Sequence, residues 1–177
     1  MSNKNLVRCG LVSALIAVSS WISVPFSVPF TMQTFGVFCA LLILGGKLGT
    51  ISTSIYVLLG AVGLPVFAGF HGGIGVIFSP LGGFIIGFII IGIVYTLITD
   101  LFGIKPAVQI AALITGLITC YITGIIWYMF FSTADLKTAL FSCIVPFIIP
   151  DGIKLWLAFY LSRQLKTADL SVDKKTT

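Results

Sequence analysis

The sequence predicts an all-α integral membrane protein of about six transmembrane helices, with both termini on the cytoplasmic side. Three observations carry that prediction. Hydrophobic residues fill 58% of the 177 positions and charged residues only 8%, too few to cover the surface of a water-soluble domain of this length. The apolar residues fall in six runs, separated by short stretches rich in proline, glycine or charge. Basic residues recur at alternate boundaries: Lys4 and Arg8 before the first run, Lys47 and Lys105 between later ones, and Arg163, Lys166, Lys174 and Lys175 after the last. The positive-inside rule assigns those boundaries to the cytoplasm, and of the loop cations only Lys137 breaks the pattern. The formal charge of +5, from 10 basic and 5 acidic residues, is therefore a topology signal and not a nucleic-acid surface.

The first helix is expected over residues 6–24. Its basic start resembles a signal peptide, but no cleavage site of small residues follows and the apolar pattern continues. Pro25 and Pro29 then break the backbone, since each lacks an amide donor. A second helix over 34–44 ends at Gly45-Gly46-Lys47, and a third over 48–64 stops at Pro65. Both are short for a full span. Residues 65–80 are too rich in glycine for a helix and too apolar for a solvated loop, so they are expected to wall a pocket or form a lid. Further helices are expected over 81–101, 106–130 and 140–161, the last interrupted by Pro146 and Pro150. Residues 1–165 thus form a single transmembrane domain and 166–177 a short polar cytoplasmic tail.

Within the sixth run, Asp151 and Lys154 stand three residues apart, which makes them neighbours on one helical face. Each charge would cost roughly 2.5 to 3.5 kcal/mol at the centre of a lipid-facing helix, so both are expected to face protein or water. A mutual ion pair that merely ties helices together is the bland alternative, and such pairs stabilise weakly compared with apolar packing. A ligand site is the favoured reading, because Pro150 frees a carbonyl and opens space beside the charges. Thr31, Gln33 and His71 are expected on the outer side, near the mouth of such a pocket. Gly10, Ala14 and Ala17 form a small-residue stripe on the first helix that suits close contact, with a partner or within the chain.

Several chemistries lack their parts. The sequence has no G-x-x-x-x-G-K-[ST] phosphate loop, no H-E-x-x-H and no G-x-S-x-G, and no second carboxylate stands near Asp151. Cys9, Cys39, Cys120 and Cys143 are too scattered for a zinc site. No catalytic or metal-binding residue is assigned, no cofactor is expected, and an enzyme is not.

Four segments together resemble the BioY family, the biotin-specific substrate-binding (S) components of energy-coupling factor (ECF) transporters. They are Val28-Pro29-Phe30-Thr31-Met32-Gln33-Thr34, Gly63-Leu64-Pro65-Val66-Phe67-Ala68-Gly69-Phe70-His71-Gly72-Gly73, Ser79-Pro80-Leu81-Gly82-Gly83-Phe84 and Pro146-Phe147-Ile148-Ile149-Pro150-Asp151-Gly152-Ile153-Lys154. Where the family usually reads Gly-Pro-Thr-Gly-Gly-Tyr, this chain has Ser79 to Phe84 and loses polar side chains. Where the family reads Pro-Gly-Asp, it has Ile149-Pro150-Asp151-Gly152.

The resemblance implies a multi-pass protein of a prokaryotic cytoplasmic membrane that binds biotin from outside. It implies as partners a transmembrane coupling subunit, docked along Gly10, Ala14 and Ala17, and two cytoplasmic ATPase subunits that alone use ATP. Asp151, as acceptor, then suits the ureido N–H groups, and Lys154, as donor, the ureido carbonyl. The carboxylate would lie near His71 and the amides of Gly72 and Gly73. The reversed pose, with Lys154 on the carboxylate, is equally sensible at this level. Phe67, Phe70 and Trp127 are candidate apolar walls. An S component for another vitamin and a self-sufficient secondary transporter remain as alternatives.

Overall fold

The computed structural model describes residues 2–24 and 29–173, with side chains through residue 165. The expected break at Pro25 and the end of the tail lie outside those residues. The described residues form eight α-helices: α1 (Asn3–Trp21), α2 (Gln33–Leu44), α3 (Gly46–Val62), α4 (Ile74–Ile77), α5 (Gly82–Phe102), α6 (Pro106–Ser132), α7 (Leu136–Cys143) and α8 (Val145–Asp173). Between α1 and α2, two short antiparallel strands, β1 (Ser23–Val24) and β2 (Phe30–Thr31), pair Ser23 with Thr31 and Val24 with Phe30. A single 3-10 turn, Ala68–Phe70, interrupts the loop between α3 and α4.

The helix ends follow from glycine and proline. Gly45 and Gly103 each turn the chain at φ 82°, and Gly63 closes α3 in a left-handed conformation at φ 115°. Pro106 opens α6, where a missing amide hydrogen costs nothing. By length and composition, α5, α6 and the stretch Leu136–Leu165 qualify as membrane spans, whereas α2 and α3 are shorter apolar helices.

The sixth run differs from expectation. It divides at Ile144 into α7 and α8, and α7 begins four residues before the expected start at 140. Pro146 ends nothing, because it sits in the first turn of α8, where amides have no helical partner. Pro150 lies inside α8 and removes the amide that would bond the carbonyl of Pro146. The helical backbone also continues to Asp173, into the segment read as a tail.

Helix α2 is the centre of the packing, with Gly36 through Leu42 all buried, and it lies against α1, α3 and α8, while α5 runs along α6 and α3. Close approach depends on small residues: a Cβ on Gly49 would stand 2.8 Å from the Ala40 carbonyl oxygen. Gly60 seats the ring of Phe67, which would lie 2.1 Å from an added Cβ. Gly60→Ala is therefore expected to push that ring aside, costing about 1–3 kcal/mol from overpacking. A fall in thermal unfolding temperature in detergent checks it.

Candidate substrate-binding site

Between α2, α5, α6, α8 and the loop after α3 lies a cavity of about 350 Å³, within the size range of small-molecule sites. One pole is ionic. Asp151 and Lys154 line it, 2% and 3% exposed respectively, with Lys154 Nζ donating to Asp151 Oδ1 at 2.7 Å. Pairing at i and i+3 along α8 sets that contact.

Two hydroxyls complete the pole. The Thr34 hydroxyl, from the first turn of α2, donates to Asp151 Oδ1 at 2.9 Å and accepts from Lys154 Nζ at 3.2 Å. The Tyr121 hydroxyl, from the middle of α6, donates to Asp151 Oδ2 at 2.6 Å. The ammonium of Lys154 also lies 4.2 Å from the centroid of the Phe30 ring on β2, which itself stacks on Phe147 at 6.2 Å. Both charges are thus compensated within the protein, and no buried side-chain nitrogen or oxygen among the described residues lacks a hydrogen-bond partner.

A second polar group sits beside this pole. Thr31 donates to Gln33 Oε1 at 3.0 Å, and Gln33 Nε2 donates to the Tyr56 hydroxyl. Thr31 and Gln33 line the cavity and are bonded to protein groups. The remaining wall is apolar: Phe67, Leu81, Phe84, Ile85, Phe88 and Phe147, with the thiols of Cys120 and Cys143. Phe84 contributes its ring to the wall.

The loop after α3 is pinned from three sides. Ser20 donates to the Val66 carbonyl at 2.6 Å, Trp21 Nε1 to the Pro65 carbonyl at 2.9 Å, and Trp127 Nε1 to the Ser79 carbonyl at 3.0 Å. Within the loop, the Phe67 amide bonds the His71 carbonyl at 2.9 Å, which places the His71 side chain at the exposed rim of the cavity.

Four expected site residues lie elsewhere. Phe70 adopts a left-handed backbone, φ 60°, that turns its ring outward, where it is 63% exposed and stacks on Trp21 at 5.1 Å. Trp127 anchors the loop through its indole N–H and stacks on Phe131 at 5.2 Å, and it does not line the cavity. Gly72 and Gly73 do not line it either, and the Gly73 amide already donates to the Gly60 carbonyl at 2.7 Å, so it is not free for a carboxylate. The small-residue stripe of α1 also divides: Gly10 and Ala14 are exposed, whereas Ala17 packs inside the chain.

The model of the BioY family matches residues 1–169. This chain belongs to the BioY family. It is 39% identical over 171 residues to the biotin transporter BioY of Thermotoga maritima, spanning 94% of this chain and 98% of that protein. It is 40% identical over 168 residues to the probable biotin transporter BioY of Pyrococcus horikoshii, with the same coverage, 94% and 98%. The crystal structure of the S component for biotin from an ECF-type ABC transporter superimposes with a TM-score of 0.86 at 29% identity, covering 94% of this chain and 95% of that one. The S component of a bacterial ECF transporter, 20% identical with a TM-score of 0.63, shares the fold. BioY membership places the chain among transport proteins and not enzymes.

Thr34, Tyr121 and Phe30 contact the Asp151–Lys154 pair, and sequence reasoning did not single them out as site residues. Tyr121 left a signal: a phenol at the middle of an apolar span requires a partner, and Asp151 is the nearest charge in need of a donor. Tyr121→Phe removes a hydrogen bond to an ionised group, worth about 1.5–3 kcal/mol. Binding of the cavity's ligand is expected to weaken about tenfold or more, measured by calorimetry on protein that keeps its helical circular dichroism.

Proposed function

We propose that this chain binds biotin from the outer face of a prokaryotic cytoplasmic membrane and is the S component of an ECF transporter. It works with a transmembrane coupling subunit and two cytoplasmic ATPases that supply the ATP-driven step. The membership in the BioY family supports the ligand class. The observation that carries the reading is the cavity itself, apolar along its walls and closed at one pole by a charge-neutral Asp151–Lys154 pair.

That pole supports one pose over its reverse. A biotin carboxylate on Lys154 would lie beside the Asp151 carboxylate, adding an uncompensated negative charge to a site whose pair is already neutral. A ureido head adds none. One of its N–H groups meets the remaining acceptor position, on Oδ2 of Asp151, which takes two donors on Oδ1 and one on Oδ2. Its carbonyl takes the Lys154 N–H that now faces the Phe30 ring. The thioether ring and chain lie along Phe67, Phe84 and Phe147, and the carboxylate reaches the rim at His71.

Six crossings with both termini cytoplasmic fit this reading: the Lys47 and Lys105 turns then lie inside, and the His71 loop outside. The short helix α2, buried from Gly36 to Leu42 and lining the cavity through Gln33 and Thr34, crosses packed within protein, where full span length is not required, and α3 crosses beside it. The exposed Gly10 and Ala14 leave a close-contact surface for the coupling subunit.

Titration of the purified chain with biotin by calorimetry tests the assignment. The expected result is one tight site per chain, and co-expression is expected to copurify an ATPase module. Well-folded protein that binds no biotin would remove it, and uptake that persists without the ATPases would favour self-sufficient secondary transport.

A further inference from the structure

On the surface between α3 and α5, away from the cavity, a second groove runs from Lys47 to Leu58, floored by Thr50, Ser54 and Thr96. The floor is deep because glycine meets a threonine at two levels: an added Cβ would lie 2.6 Å from Thr96 Oγ1 at Gly46 and 2.6 Å from Thr50 Oγ1 at Gly92. The hydrogens of its hydroxyls are all taken by the helix backbone. Thr50 donates to the Gly46 carbonyl at 2.7 Å, Ser54 to the Thr50 carbonyl at 2.9 Å and Thr96 to the Gly92 carbonyl at 2.7 Å. Exposed Ile51, Leu58, Ile93 and Leu97 form the rims.

The groove is therefore apolar from end to end, and its length is informative. From Lys47 to Leu58 the helix rises about 16 Å, which matches one leaflet of a hydrocarbon core about 30 Å thick. At one end stand two opposite charges, Lys47 and Asp100, whose side chains are 79% and 60% exposed and whose Nζ and Oδ2 atoms are 3.8 Å apart. Such a loose, solvated pair is worth little on its own and leaves hydrogen-bonding capacity on both members.

We propose that this groove holds one acyl chain of a phospholipid with a zwitterionic, primary-amine headgroup, its phosphate on Lys47 and its ammonium on Asp100. The assignment rests on the reading that α3 and α5 cross the membrane. The charge pattern selects the headgroup: a purely anionic lipid would meet Asp100 unfavourably. A quaternary-amine headgroup presents no N–H donor to it.

The chain is reconstituted in nanodiscs containing equal parts of phosphatidylethanolamine, phosphatidylglycerol and phosphatidylcholine, and native mass spectrometry counts the lipid that stays bound. The expected result is one retained phosphatidylethanolamine per chain, enriched about fivefold over the other two. Asp100→Asn, a surface change that disturbs no packing, is expected to move the preference to phosphatidylglycerol, since Lys47 alone then meets the headgroup. Ser54→Leu fills the groove and is expected to abolish retention of all three lipids. Equal retention of the three lipids by the unaltered chain would overturn the proposal, as would unchanged selectivity in Asp100→Asn. Biotin titration of the same samples is expected to match the unaltered chain, so failure here is distinguishable from failure of the transport assignment.

Discussion

Asp151→Asn is expected to weaken biotin binding by at least about two orders of magnitude. Removing one member of a buried, hydrogen-bonded ion pair costs roughly 3–5 kcal/mol, mostly through the charge left behind. Here that charge is the Lys154 ammonium, 3% exposed, whose carboxylate partner is lost. An amide also fits the surrounding donors poorly: Thr34 and Tyr121 both point O–H groups at the carboxylate oxygens, and the Asn amino group cannot accept either. The ligand exchanges a charged acceptor for its ureido N–H for a neutral one at best. An analogue without those N–H donors is therefore expected to lose less affinity than biotin does, and equal losses for the two ligands would contradict the pose. Calorimetry with both ligands gives the comparison, and the melting temperature of the variant is expected to fall with the binding.

Replacing both charges separates stability from binding. The double variant Asp151→Leu with Lys154→Met removes the desolvation penalty of two buried ions and fills similar volume with apolar groups. Such replacements are often neutral or stabilising by about 1–4 kcal/mol. The melting temperature of the double variant is thus expected to reach or exceed that of the unaltered chain, well above either single variant. Biotin binding is expected to be absent. A pair that served only to fasten α8 against α2 would give the opposite pattern, with stability lost and the apolar cavity still able to accept the ligand. Thermal unfolding and calorimetry on the same preparation distinguish the two.

What the sequence revealed of this site depended on how rare a signal was. Asp151 and Lys154 are conspicuous because a charge inside an apolar run has few tolerable environments, and their spacing alone puts them on one face. Helix ends were legible where glycine or proline marks them, as at Gly45 and Pro106. Aromatic residues carry no comparable signal in a chain with 15 phenylalanines, since lipid, core and cavity accept them equally. Phe70 and Trp127 thus went to the wrong side of the wall. Their directions depend on a left-handed backbone at Phe70 and on a bond from Trp127 to Ser79, 48 residues away. Thr34 joins Asp151 across 117 residues, a proximity created by the packing of α2 on α8 and invisible to local spacing. The split at Ile144 escaped notice because Pro146, the obvious breaker, is harmless in a first helical turn.

The central claim is that the neutral Asp151–Lys154 pole receives the ureido head of biotin. A crystal structure of the complex, with the ligand oriented by the anomalous signal of its sulfur, tests it most directly. The account predicts the ureido oxygen within hydrogen-bond distance of Lys154 Nζ, a ureido N–H on Asp151, and the carboxylate at the rim beside His71. Biotin seated outside the cavity, or turned so that its carboxylate lies on Lys154, would contradict it.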